Sequence, residues 1–160
     1  GALLKMIKVY ALWYPKLWIP VLSAGKFGMS APLNKHMRTV ARLSKKMSRR
    51  LFHKMVIHQK KMAEKQLLIN RFVQIGTELF IMSAACSYAD SLKKDGTDAA
   101  NAVELASYYC NEAKIRIAKL FSDIRSNNDK ATLRLNRNFM QGDFTWLEDE
   151  IAPPSNAESS

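Results

Sequence analysis

The residues with the most to offer chemically stand on one side of a single predicted helix. Lys35, Arg38, Arg42, Lys45 and Arg49 recur at steps of three and four, a spacing that lines side chains along one helical face. A stripe of cations suits an anionic partner: lipid headgroups, nucleic-acid phosphates or an acidic protein face. No acid interrupts it. From Gly1 to Ala63 the chain has 14 Lys and Arg and no Asp or Glu, the first acid being Glu64. The net charge of +11 is therefore gathered into the first part of the chain, and the remainder is slightly acidic.

Other chemistry-bearing residues give less. His53 and His58 are five apart, which turns them about 140° away from each other on a helix, unlike a chelating pair four apart. With His36 they read as solvated members of the basic face. Cys86 and Cys110 each fall on an apolar stripe and read as reduced core residues rather than a disulfide, which fits a cytosolic or matrix compartment. Glu104 and Glu112 have no visible cleft between them for acid–base work. The six glycines are scattered, so no phosphate-cradling loop is formed. The eight methionines mostly lie on helical stripes as plastic core residues. Catalytic and metal sites are thus expected to be absent.

The elements that must position the stripe are helical. The central one is His53–Leu92, in whose second half Leu68, Phe72, Ile75, Leu79, Met82, Cys86 and Ala89 step by fours and threes. Between Phe72 and Ala89 only Glu78 is charged, so this helix is apolar nearly all round and belongs in the middle of the fold. Lys93–Asp98 is a turn, with Gly96 suited to a left-handed helix cap. The next helix runs to about Ile124 on Val103, Ala106, Cys110, Ala113, Ile117 and Leu120. Two such helices joined by so short a turn are expected to pack antiparallel.

Upstream, Ser30-Ala31-Pro32 marks a helix start, and no Gly or Pro follows from Asn34 to Asn70. Val40, Met47, Leu51, Met55 and Met62 form its apolar stripe. An unbroken helix to Leu92 would reach ~90 Å at about 1.5 Å per residue, so a break is expected between His58 and Lys65. Gly1–Tyr14 reads as a short amphipathic helix ended by Pro15, and Pro15–Leu33 as an irregular connector. Trp13 and Trp18 there suit an interfacial anchor or, more readily, packing against another domain. Ser126–Asp129 is a further turn. Ala131, Leu135 and Phe139 then mark a shorter helix interrupted by Gly142, with Trp146 docking back.

The reading is all-α: an antiparallel helical bundle built on long amphipathic helices. Its expected parts are 1–33, a short helix and connector; 34–150, the bundle; and 151–160, a disordered polar tail. Gly1 in place of Met reads as a cloning remnant and the chain as a fragment. No stretch has a transmembrane helix's length and apolarity, since lysines and Pro20 break the N-terminal part, and no signal-peptide pattern opens it.

One stretch carries a family resemblance. KHMRTVARLSKKMSRRLFHKMVIHQKKMAEKQLLINRFVQIGTELFIMSAACSYADSL is similar to the extra C-terminal helical domain of the very-long-chain acyl-CoA dehydrogenases. The Cys-x-Glu-Ala element at Cys110, Glu112 and Ala113, and LNRNF at Leu135–Phe139, follow in that family's order. The likeness covers roughly Leu33 to Asp149. It implies an FAD-dependent parent enzyme of fatty-acid β-oxidation, which removes an α-proton with a carboxylate and passes the β-hydride to flavin. It also implies delivery of electrons to an electron-transfer flavoprotein. The residues that do this lie outside the module, so no catalytic, cofactor or metal position is carried over. The implied partners are the catalytic domain of the same chain, a homodimer mate and an anionic membrane met by Lys35, Arg38, Arg42, Lys45 and Arg49. Implied locations are the cytoplasm or membrane periphery of a bacterium, or the mitochondrial matrix and inner membrane. The run of bases before Glu64 and the N-terminal connector depart from the family. Two other readings remain: a free-standing basic module for nucleic acid, which lacks stacking aromatics and reader motifs along the stripe, and a merely solvated basic face.

Overall fold

The computed structural model describes residues 10–12, 14–15, 27–58, 65–96 and 99–149. All the regular structure among them is helical: α1 Ala31–His58, α2 Gln66–Lys94, α3 Ala99–Asp123, α4 Asp129–Met140 and α5 Thr145–Asp149. Tyr10–Leu12, Tyr14 and Pro15 are helical too, and the residues after Pro15, where that helix was expected to have ended, lie outside the described ones. Trp13, Trp18, the expected break between His58 and Lys65, and the polar tail lie outside the described residues.

Residues 1–125 form one compact unit. Its centre is α2, whose Leu68, Phe72, Ile75, Leu79, Met82, Cys86 and Ala89 are all buried. Each step of three or four residues returns the chain to the same side of the helix, and α3 answers with Ala106, Cys110, Ala113, Ile117 and Phe121. The cross-helix pairs Glu78–Arg116 and Cys86–Cys110 run in opposite order along α2 and α3, as in a helical hairpin. The connecting turn follows from local chemistry. Lys93 and Lys94 occupy the last turn of α2, where cations complement the helix dipole. The Asp95 N–H donates to the Ser91 carbonyl at 3.0 Å, and Gly96 takes φ 75°, which glycine reaches without strain. Asp90, 6% exposed, is paired 2.7 Å from Lys94.

The first helix, α1, covers this hairpin less completely. It begins where expected: the Asn34 N–H donates to the Ser30 carbonyl at 2.9 Å, and Pro32 falls in the first turn, where its missing N–H costs nothing. Leu33, His36 and Val40 are buried, Met37, Leu43, Met47 and Leu51 partly so. Met55, expected on the same apolar stripe, is exposed, because the core cluster takes α1 only as far as Leu51.

Residues 126–160 form the second unit. Asp129, near the N-terminus of α4, stands where a negative charge favours the helix dipole, and the Gln141 N–H closes the helix on the Arg137 carbonyl at 3.0 Å. Gly142 reverses the chain at φ 84°, which brings Phe144 onto Phe139 with ring centroids 6.2 Å apart. No residue of α4 is buried. Trp146, expected to dock back, is 59% exposed.

Candidate anionic-surface face on α1

The loop before α1 and its first three turns build the basic face. Gly28 takes φ 73°, and Asn34 pins the loop from within the helix. Its Oδ1 accepts from the Phe27 N–H at 2.9 Å, and its Nδ2 donates to the Met29 carbonyl. Beside this bracket lies a shallow cavity of about 620 Å³ lined by Gly28, Met29, Ala31, Asn34, Lys35, Arg38 and Arg42. The Arg42 Nη2 donates to the Thr39 Oγ1 at 3.2 Å, whose hydroxyl donates to the Lys35 carbonyl at 3.0 Å. Among the described residues, no carboxylate pairs with Lys35, Arg38 or Arg42.

The structure splits the five-cation stripe. Lys35, Arg38 and Arg42 are exposed and share the cavity, while Lys45 and Arg49 are half-buried and make contacts of their own. Two further cations on the same helix turn inward. Lys46 Nζ and Arg50 Cζ lie 4.6 and 4.7 Å from the centroid of Phe121, and Arg50 Nη1 donates to the Phe121 carbonyl at 3.0 Å. Burial, then repulsion from Arg125 and Arg49, lowers the Arg50 pKa; Lys46 is lowered by burial, then by Arg50, Arg125 and Arg49. The sequence offered the Arg49-Arg50 doublet with Lys46 one turn before. It could not offer Phe121, 71 positions away from Arg50.

Two polar features of the interior also escaped the sequence reading. His36, expected to be solvated, is 5% exposed, and its Nδ1 has no hydrogen-bond partner. The reason is visible in the spacing Leu33–His36–Val40, which puts the ring on the inner line of α1. Burial first, then the charges of Lys114 and Lys35, pulls its pKa down. Glu78 is the second. Its Oε1 accepts from the Arg116 Nε at 2.6 Å, and its Oε2 from the Arg116 Nη2 and the Tyr109 hydroxyl, each at 2.9 Å. These bonds, Arg116 first, hold the Glu78 carboxyl below the usual carboxylate range. Its place as the one charge in a long apolar run was the available signal.

The remaining candidates fall as their surroundings dictate. His53 is exposed and meets the Tyr14 hydroxyl, and His58 is half-buried. Cys86 and Cys110 are free, buried thiols with Sγ atoms 3.7 Å apart. Their mutual hydrogen bond, then burial, pushes the Cys86 thiol up, and the same bond lowers Cys110. Glu104 and Glu112 share α3, about two turns apart. Among the described residues no group of His, Cys, Asp and Glu could hold a metal, and no helix is long and apolar enough to cross a membrane.

The family model for the ACAD9/ACADV C-terminal domain matches residues 31–140, from the start of α1 to the end of α4. The chain belongs to that family. Its similar relatives include the "Probable acyl-CoA dehydrogenase FadE10" proteins of Mycobacterium bovis (strain ATCC BAA-935 / AF2122/97) and Mycobacterium tuberculosis (strain ATCC 25618 / H37Rv). Each is 36% identical over 151 residues, 91% of this chain and 23% of the relative. The chain therefore spans about a quarter of the length of the curated relatives it matches. No solved structure matches it. The buried stripe of α2, the Cys110-x-Glu112-Ala113 element in α3 and the basic face of α1 all lie inside the matched C-terminal domain.

Proposed function

We propose that this domain serves as a non-catalytic accessory part of an FAD-dependent long- or very-long-chain acyl-CoA dehydrogenase, with Lys35, Arg38 and Arg42 set against an anionic membrane surface. The observation that carries the membrane part is the geometry of those three side chains. They are exposed, share one cavity wall and meet no carboxylate among the described residues. Cations beside a lipid surface are worth about 1 kcal/mol each. Lys45 and Arg49 extend the stripe as its half-buried flank.

The flavin would belong to the catalytic part of such a parent, where it would supply hydride-accepting chemistry. Two cavities lined by described residues do not fit it. Among the described residues, the one on α1 is lined by cations but no aromatic, while a second, lined by Tyr10, Ala11, Tyr14, Pro15, Phe52, Met55 and Val56, has aromatics but no cation for a pyrophosphate. The catalytic domain of the same chain, a homodimer mate and an electron-transfer flavoprotein complete the proposed set of partners. A bacterial cytoplasmic membrane and the inner mitochondrial membrane both supply an anionic surface.

Co-sedimentation with vesicles tests the membrane role. The chain is expected to pellet with anionic but not neutral vesicles, less so at raised salt. Lys35→Gln, Arg38→Gln and Arg42→Gln together should abolish the effect. Equal recovery with neutral vesicles, or full binding by the triple variant, would overturn this role for the face. Binding to duplex DNA in preference to anionic vesicles would favour a nucleic-acid module instead.

A further inference from the structure

Opposite its buried stripe, α2 carries a second apolar line made of Val73, Thr77, Phe80, Ile81, Ala84 and Tyr88. All six are exposed: Phe80 by 73%, Tyr88 by 67% and Val73 by 59%. Their spacing returns them to one side of the helix over about 22 Å at 1.5 Å per residue. None belongs to the core, which α2 builds from Leu68, Phe72, Ile75, Leu79, Met82, Cys86 and Ala89. The line also has no charge, because Glu78 is turned to Arg116 and Tyr109. The outer face of a solvated helix is ordinarily polar, and a contiguous apolar patch marks a surface that something covers.

We propose that this outer face of α2 is where the rest of the parent chain docks. The inference rests on the reading of the chain as a domain of a larger dehydrogenase. Two observations select this occupant. The relatives are about four times as long as the part matched here, so a parent of their length supplies a large protein surface joined to this domain. Lipid headgroups and nucleic acid call for cations beside the apolar groups, and none of these six residues is one, whereas Lys35, Arg38 and Arg42 stand exposed together on α1. An uncharged line centred on Phe80 and Tyr88 has the make-up of the desolvated centre of a protein interface, where aromatic side chains anchor and charges are depleted.

Hydroxyl-radical footprinting of the full-length parent, with acyl-CoA oxidation assayed on the same sample, tests this. Labelling of Phe80 and Tyr88 is compared with that in the urea-unfolded chain, and buried Phe72 reports that the domain is folded. The expected result is that Phe80 and Tyr88 are slowed about tenfold or more, like Phe72, at every protein concentration, as for side chains at an interface centre. Fast labelling of Phe80 and Tyr88 beside a protected Phe72 would overturn the docking surface while leaving the dehydrogenase reading to the activity assay. Protection lost on dilution would overturn it in favour of a second copy, and protection that needs vesicles in favour of lipid. Absence of acyl-CoA oxidation would sink the dehydrogenase reading whatever the labelling shows.

Discussion

The two longest helices, α1 with 28 residues and α2 with 29, do opposite things with nearly equal length. α2 buries a residue at almost every turn, and its one mid-helix charge, Glu78, is tied to α3. α1 buries Leu33, His36 and Val40 near its start and then relies on half-buried contacts, including cations laid on Phe121. The difference teaches where stability and surface function separate. α2 cannot be altered on its inner face without opening the core, while α1 carries three exposed cations, Lys35, Arg38 and Arg42, that pair with no carboxylate among the described residues. Its bases divide by position along the helix: Lys46 and Arg50, further along, reach Phe121, while Lys35, Arg38 and Arg42 stand exposed on the first turns.

The sharpest way to break this comparison is truncation in the two cores. Ile75→Ala, at a side chain with no exposed surface, is expected to cost about 2–5 kcal/mol in denaturant unfolding, by lost transfer energy plus a cavity. Val40→Ala on α1, where only a smaller side chain is lost at the rim of the core, should cost about 1–2 kcal/mol. Equal losses at the two positions would contradict the division of labour. Next in size is Arg50→Met, which keeps the stem over Phe121 but removes the guanidinium. Its hydrogen bond and cation–π contact together predict about 1–2 kcal/mol. No loss of melting temperature would mean that α1 does not depend on that contact.

Electrostatic tests expect smaller effects. Glu78→Gln should cost about 0.5–1 kcal/mol near neutral pH, since the Arg116 end of the pair is well exposed. Because the folded state lowers the Glu78 pKa, the pair's contribution is whole above the ordinary carboxylate value of about 4.3 and fades as the pH drops through the lower folded value. The variant should therefore lose less stability than the parent protein on acidification. His36 has the same sign by a different route. Its folded pKa is lowered, so stability is full above its unfolded value of about 6.5 and declines as the pH falls toward the folded one. His36→Gln should flatten the fall in melting temperature between about pH 7 and pH 5, and an unchanged slope would place the titration elsewhere.

Much of this was legible in the sequence where a single helix decides the outcome. The seven-residue stripe of α2 is buried in full because its period is set by helix geometry alone. Gly96 turns the chain because few other residues tolerate its φ. Lys35, Arg38 and Arg42 share an exposed face, as side chains at helical spacing must. Partners brought together by the tertiary fold were not legible: Phe121 for Arg50, Arg116 for Glu78. His36 is instructive in the other direction. Its spacing from Leu33 and Val40 was plain, but residue type argued for solvent and outweighed position. Likewise Met55 had the right type and spacing, and is exposed because the core ends before it.

The smallest effect predicted on stability is also the one nearest the central claim. Lys35→Gln, Arg38→Gln and Arg42→Gln together should shift unfolding by no more than about 0.5 kcal/mol, as for surface positions away from caps and core. Lys45 and Arg49 are left in place because they make contacts of their own. The decisive measurement is steady-state oxidation of a long-chain acyl-CoA by the full-length parent carrying this triple variant, in solution and without vesicles. An accessory domain predicts unchanged kcat and KM. A fall in kcat at unchanged flavin content would contradict it and place the basic face of α1 in the catalytic machinery.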